Sequence, residues 1–355
     1  MMKQTLPYPL LQALVGDEEV GALFSNEAEI SALLRVEAAL AQAEAGVGLI
    51  SDEGARRVAE ACNSFQADWG GLATGLAQDG VIIPAFVKQL RAAVGEAYAK
   101  AVHFGATSQD IIDTALMLRL KSVVDIFGHR LNVLLRALRA LKDRDGATPL
   151  MAHTRMQQAL PFTAADKIDT WIQPLERHRE ALDALVPRLL AVQLGGPVGT
   201  RAELNGKGNA VADAMAEILG LGSAPSWHSQ RDRIGEFAAF LSLLSGALGK
   251  IGQDVALMAQ NEVGEVRLAT GGGSSAMPHK SNPVPAEVLV TLARFNAGLL
   301  GTLHQALVHE NERSGAAWTL EWMLLPQMVV ATAAGLRSAQ ALAGGMSFST
   351  SNVRG

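Results

Sequence analysis

From Asp110 to Asp145 the chain runs for 36 residues without a proline and with a single glycine, Gly128. Leu116, Val123, Phe127, Leu131, Leu134, Leu138 and Leu141 recur along this run at helical spacing. The pattern predicts one uninterrupted α-helix about 54 Å long. Most globular helices stop within about 8–20 residues. No small domain covers the apolar stripe of a longer one, so the stripe calls for other long helices beside it. The chain supplies them over Phe162–Leu194, with kinks expected at Pro174 and Pro187, and over Arg231–Leu268, Pro283–Glu310 and Glu321–Leu342. No strict heptad recurs, which favours a bundle over an isolated coiled coil. Shorter helices are expected over Asn26–Ala45, ended by Gly46, over Ser51–Cys62, and over Ile82–Tyr98 after a glycine-rich stretch at Trp69–Gly80. The expected fold is therefore all-α. Its domains read as an N-terminal helical domain over 1–108, a long-helix bundle over 109–345, and a loosely held polar tail over 346–355.

Composition narrows the function. Hydrophobic residues make up 49% of the 355, and charged residues 18%, as in a folded globular chain. Thirty Lys and Arg against 35 Asp and Glu leave a net charge of −5, which removes the broad basic surface a nucleic-acid partner needs but leaves room for a small cationic pocket. Cys62 is the only cysteine, so no internal disulfide and no cysteine metal site can form; an inert core thiol is the expectation. No two histidines stand three or four apart, and no Walker A, G-x-G-x-x-G, G-x-S-x-G or H-E-x-x-H motif occurs. No metal, nucleotide cofactor or nucleophile triad is expected. Continuous apolar stretches such as Phe237–Leu248 fall short of the ~20 residues that span a bilayer, and the N-terminal residues lack a signal-peptide core. A cytoplasmic protein with no membrane partner is the expectation.

Three segments carry chemistry. The first is GGGSSAMPHKSNP at 271–283, where Asn282 suits an N-cap and Pro283 a first helical position. A helix N-terminus beside Lys280 makes an anion site, and a serine next to it could work as a base if loop N–H groups stabilise its alkoxide. A flexible linker would use the same residues. The second is HFGATSQD at 103–110, where Thr107 or Ser108 can cap the long helix and hold a carboxylate, or simply cap it. The third is AHTRMQQALP at 152–161, which sets His153, Thr154 and Arg155 just ahead of a helix, either as a site or as an ordinary polar entry. A buried Arg155 would need an anionic partner.

Taken together, these segments resemble, in order and spacing, the three signature regions of the fumarase/aspartase superfamily. The resemblance covers roughly residues 5–345, and G-S-S-x-M-P-x-K-x-N-P over Gly273–Pro283 is its most specific part. The stretch from Glu312 to Pro326, E-R-x-G-x-x-W-x-x-E-W-x-x-L-P, together with Gln109 in the 103–110 segment, looks like the 3-carboxymuconate cycloisomerase branch. The resemblance implies a cofactor-free enzyme that lactonises a small polycarboxylate. It further implies a homotetramer whose active sites each combine regions from three subunits. Ser274 matches the catalytic serine, with Ser275 the fallback. Thr107, Ser108, Lys280, Asn282 and Arg313 match positions that hold carboxylates; His153, Thr154 and Arg155 are inferred locally. Two departures stand out. Arg155 sits where related lyases carry histidine, so His153 is the remaining catalytic candidate there. The chain also ends near Gly355, where family members add a small C-terminal helical domain, so that domain is expected to be missing. A cycloisomerase acting on a sulfonated muconate, an adenylosuccinate-type lyase and a catalytically silent structural protein on the same fold are the competing expectations.

Overall fold

The structure is a computed structural model that describes residues 9–269, 271–273, 277 and 281–350. Short helices α1 (Gln12–Val15) and α2 (Glu18–Ala22) lead into α3 (Asn26–Gly46), α4 (Asp52–Ser64), α5 (Trp69–Asp79) and α6 (Ile83–Val94). The long helix α7 (Ser108–Asp145) then runs into a hairpin of β1 (Pro149–Thr154) and β2 (Gln157–Thr163). After it come α8 (Ala164–Leu189), α9 (Gly208–Leu219), α10 (Asp232–Met258), β3 (Val266–Leu268), α11 (Val284–Gln305), α12 (Gly315–Gly345) and β4 (Met346–Phe348).

Local chemistry sets the helix starts. The side chains of Asp17, Ser25, Ser51, Asp68 and Ser314 each accept a backbone N–H two to three residues into the helix they precede. Thr107 with Asp110 and Thr163 with Asp166 form capping boxes at α7 and α8. The α7 stripe read from the sequence is buried in the bundle of α7, α8, α10, α11 and α12, where Phe127, Leu131, Leu134 and Leu138 are fully covered. Register between three of these helices is fixed by a buried polar contact. Asn296 Nδ2 of α11 donates to Ser245 Oγ of α10 at 2.7 Å, and to Thr332 Oγ1 and Met328 O of α12 at 2.9 and 3.2 Å. A one-turn slip would strand these groups unpaired, at a cost of about 1–3 kcal/mol each. A second core gathers α3, α4, α6, α9 and the first turns of α7 around Leu33, Leu40, Phe86 and Leu90.

Several sequence expectations change. The glycine-rich stretch is helix α5, because Asp68 caps it and Gly80 ends it in the left-handed region. The long run from Arg231 stops as a helix at Met258, and the chain continues through turns into β3. β4 pairs antiparallel with β3 and buries Met346 and Phe348, so 346–348 is no loose tail. Whole helices α10 and α11 reach the length and hydropathy of a membrane span although no continuous apolar run does. In the bundle they pack on each other and on α12. Cys62 is buried, and burial, then the nearby Glu37 charge, pushes its thiol up to about 12.

Candidate active site

The described candidate residues fall at the two ends of the bundle. One end holds Thr107 and Ser108, the N-cap and first residue of α7. Asp110 is buried beneath them and collects donors: Thr107 N at 2.9 Å, Gly195 N at 2.7 Å, Gly196 N at 2.9 Å, Gln193 Nε2 at 3.2 Å and His228 Nε2 at 2.7 Å. The 195–196 backbone reaches that carboxylate because residue 195 has no side chain; a Cβ there would sit 2.3 Å from Ser226 Oγ. Gln109 donates from Nε2 to His228 O and to Asp113 Oδ2, and accepts from Arg313 Nε at 3.0 Å. Arg313 also donates to Pro197 O at 3.2 Å. Arg313 is therefore held against Gln109, the residue after Ser108.

Deeper in, Arg231 is fully buried between two carboxylates, with bonds of 2.6 Å to both Asp113 and Glu321. Burial pushes the Glu321 carboxyl up, against the opposing pull of Arg231. This cluster anchors α7, α10 and α12 to one another where the site begins.

Ser108 lines a cavity of about 420 Å³ together with Lys88, Arg91 and His103. His103 Nδ1 lies 2.7 Å from Glu37 Oε1. Burial alone would lower the His103 pKa, but the Glu37 charge and hydrogen bond outweigh it and raise it. Cationic groups around a helix N-terminus can hold carboxylates.

The other end holds the 152–161 segment and the stem of the glycine loop. His153 and Thr154 lie on β1, opposite Gln158 and Gln157 of β2. Arg155 and Met156 form the tip, with φ of 49° and 68°. Two consecutive positive φ values make the tight primed turn of a two-residue hairpin. Neither residue is the glycine or asparagine that such a turn favours, and holding each there costs on the order of 1–3 kcal/mol. The expected helix entry is thus a hairpin, because the left-handed tip folds the chain back before α8 can start. His153, Thr154 and Arg155 are exposed, so Arg155 needs no buried anionic partner. Met151 N donates to Glu265 Oε1 at 3.1 Å, which ties the hairpin to the residues entering β3 and the glycine loop.

That loop is closed at its stem. Gly272 N donates to Asn282 O at 2.9 Å, and Asn282 N returns to Gly272 O at 2.8 Å. A Cβ on Gly272 would sit 2.5 Å from Val284 Cγ2. Asn282 is therefore a stem residue and not the N-cap. Pro283 takes that place and α11 begins at Val284. Ser274, Ser275 and Lys280 lie outside the described residues.

α7 joins the two ends. Its 38 residues span about 57 Å, so one chain does not bring His153 and Thr107 together. Sequence reasoning missed Asp110, Gln193 and His228 as builders of the first end. Asp110 was findable, since an acid three residues after Thr107 is a capping box. Gln193 and His228 carry no local signal.

Residues 17–296 match a family model described as lyase. The chain is similar to the 3-carboxy-cis,cis-muconate cycloisomerase of Pseudomonas aeruginosa, at 40% identity over 94% of this chain and 74% of that protein. It is similar to an N-acetyl-S-(2-succino)cysteine lyase of Enterococcus italicus, at 35% identity over 87% of this chain and 69% of that protein. Among solved structures, it resembles the 3-carboxy-cis,cis-muconate lactonizing enzyme of Pseudomonas putida with a TM-score of 0.90 and 39% identity, over 96% of this chain and 77% of that one.

Proposed function

The chain belongs to the lyase family of the fumarase/aspartase superfamily, and from that membership we propose that it is a cycloisomerase interconverting 3-carboxy-cis,cis-muconate and 4-carboxymuconolactone in aromatic-acid breakdown. One substrate carboxylate adds across a carbon–carbon double bond, and a proton joins the neighbouring carbon. The tricarboxylate plus one proton gives the lactone dicarboxylate: the carboxylate oxygen forms the C–O bond, the π pair of the double bond forms the C–H bond, and the proton comes from a protein group that solvent recharges. The charge that develops on the adjoining carboxylate needs preorganised donors and cations. In this reading Ser274 moves the proton, with Ser275 next to it and His153 on the hairpin as the other candidates. Thr107, Ser108, Thr154, Arg155, Lys280, Asn282 and Arg313 hold carboxylates.

The observation that carries the reading is the Arg313–Gln109 hydrogen bond, which sets an arginine from the branch-specific stretch against the first turn of α7. A small polycarboxylate is the substrate class such cations suit. The 57 Å between the two ends also supports a homo-oligomer, a tetramer in this proposal, whose sites combine ends from different copies.

The test is lactone formation from 3-carboxymuconate, before and after dialysis against a strong chelator, with the rate expected to survive dialysis. Ser274→Ala should lower kcat by about 10²–10⁴-fold and leave the thermal midpoint unchanged. Loss in Ser275→Ala alone would move the role by one residue. If neither variant loses turnover, the serine assignment fails and His153 is next. A second reading is elimination of fumarate from a succinyl adduct, favoured by the likeness to the succinocysteine lyase. Fumarate release from such adducts, without muconate turnover, would select it.

A further inference from the structure

A cavity of about 440 Å³ lies where α7 and α12 meet the start of α3 and the turn between α5 and α6. Neither the Thr107–Ser108 turn nor Arg313 borders it. Its walls are largely apolar, with Phe24, Ile82, Ile112, Leu116, Leu325 and Pro326 among them. Into this setting the sequence places Arg119, one turn beyond Leu116 on the same face of α7.

Arg119 is short of partners. Among the described residues its one hydrogen bond runs from Nε to Ala115 O, at the limiting distance of 3.5 Å. Among the described residues no carboxylate lies within ion-pair distance of it, and the ring of Phe24 stands 5.6 Å from Cζ. A guanidinium carries five N–H donors in a planar fork. Burial lowers the Arg119 pKa, and only the more distant Glu29 opposes that shift. A second wall residue, Trp322, has a buried indole N–H with no hydrogen-bond partner. Unsatisfied buried donors are costly and rare in native proteins. Here that indole N–H and a half-buried guanidinium with donors to spare, from different helices, border one apolar chamber at the junction of the two cores, a common position for a small-molecule site.

The charges facing the cavity restrict the ligand. Glu29 is on the wall, and Glu321, also on it, is held by Arg231. One free guanidinium beside a carboxylate suits a single negative charge and disfavours a polyanion. We propose that this cavity is a second, non-catalytic site for a small apolar monocarboxylate. Arg119 takes the carboxylate, Trp322 supplies a further donor, and the body of the ligand packs on Phe24 and the aliphatic wall.

Calorimetric titration of the full chain with benzoate tests this, with benzamide and citrate as controls. Saturable binding of benzoate, with neither control competing, is expected. Arg119→Met should weaken benzoate at least about tenfold, as for the loss of a charge-assisted hydrogen bond, and leave turnover unchanged. Arg313→Ala should leave benzoate affinity intact, because Arg313 is not on this wall. The proposal is overturned by absent benzoate binding, by equal binding of benzamide, or by affinity that falls in Arg313→Ala and not in Arg119→Met. Should Arg119→Met fail to fold, Trp322→Phe keeps the ring and removes the N–H; unchanged benzoate affinity in it would then overturn the proposal.

Discussion

Arg313 donates from Nε to Gln109 Oε1 at 3.0 Å, across 204 positions of sequence. The same glutamine donates to His228 O and Asp113 Oδ2. One amide thus couples the start of α12 to the first turn of α7 and to the segment entering α10. Its orientation is dictated on both sides: a carboxylate and a carbonyl require the NH₂, and a guanidinium requires the oxygen.

Arg313→Lys should reduce kcat/KM for 3-carboxymuconate by roughly ten- to a hundredfold, with most of the effect in KM. Lysine keeps the charge but loses the planar fork, and a charge-assisted bond contributes about 1.5–3 kcal/mol. Steady-state kinetics check this. An unchanged KM would reduce Arg313 to a brace for Gln109.

Asp110→Asn should destabilise the fold by about 3–5 kcal/mol, as expected when a buried charge network loses a partner. Asparagine turns one oxygen into an NH₂ that faces N–H donors from Thr107, Gly195, Gly196, Gln193 or His228. The urea midpoint reports it. A midpoint equal to wild type would mean that the 195–196 backbone holds its place without the carboxylate.

Stability should fall with pH because of Glu44. Both its carboxylate oxygens are buried without a partner. Burial, then the Glu37 charge, pushes its pKa from 4.5 up to about 9. The folded chain keeps this proton where the unfolded chain gives it up. The contribution is intact below 4.5 and is lost progressively as pH rises towards about 9, at up to about 1.4 kcal/mol per pH unit. Glu44→Met should therefore melt higher than wild type at pH 8, with the gap shrinking at pH 5. A gap that does not depend on pH would show that Glu44 is ionised in the folded chain.

Gly272→Ala should lower turnover strongly and leave the helical circular dichroism intact. The new methyl group would lie 2.5 Å from Val284 Cγ2, a clash costing about 1–3 kcal/mol and aimed at the Gly272–Asn282 pairing that closes the loop stem. Wild-type kinetics in this variant would show that stem closure does not position the loop.

The sequence by itself determined the bundle and the chemistry-bearing segments. A 36-residue proline-free stripe can only be a long helix in search of partners, and Thr107, Thr163 and their N3 acids mark helix starts through bonds within four residues. Signals of this kind are local, so they survive in the linear chain. The exchange of a helix entry for the hairpin tipped by Arg155 and Met156 was not legible, because neither residue advertises a left-handed backbone. Nor was β4, whose Met346 and Phe348 are strand residues only because β3, 80 positions earlier, lies alongside. Only tertiary structure decided that Asp110 would gather Gln193, the 195–196 backbone and His228, or that Arg119 would be left without a carboxylate partner among the described residues. Those outcomes depend on which helices meet and at what register. That choice is made by burial of apolar surface, which is non-directional and leaves no mark on the polar residues it happens to bring together.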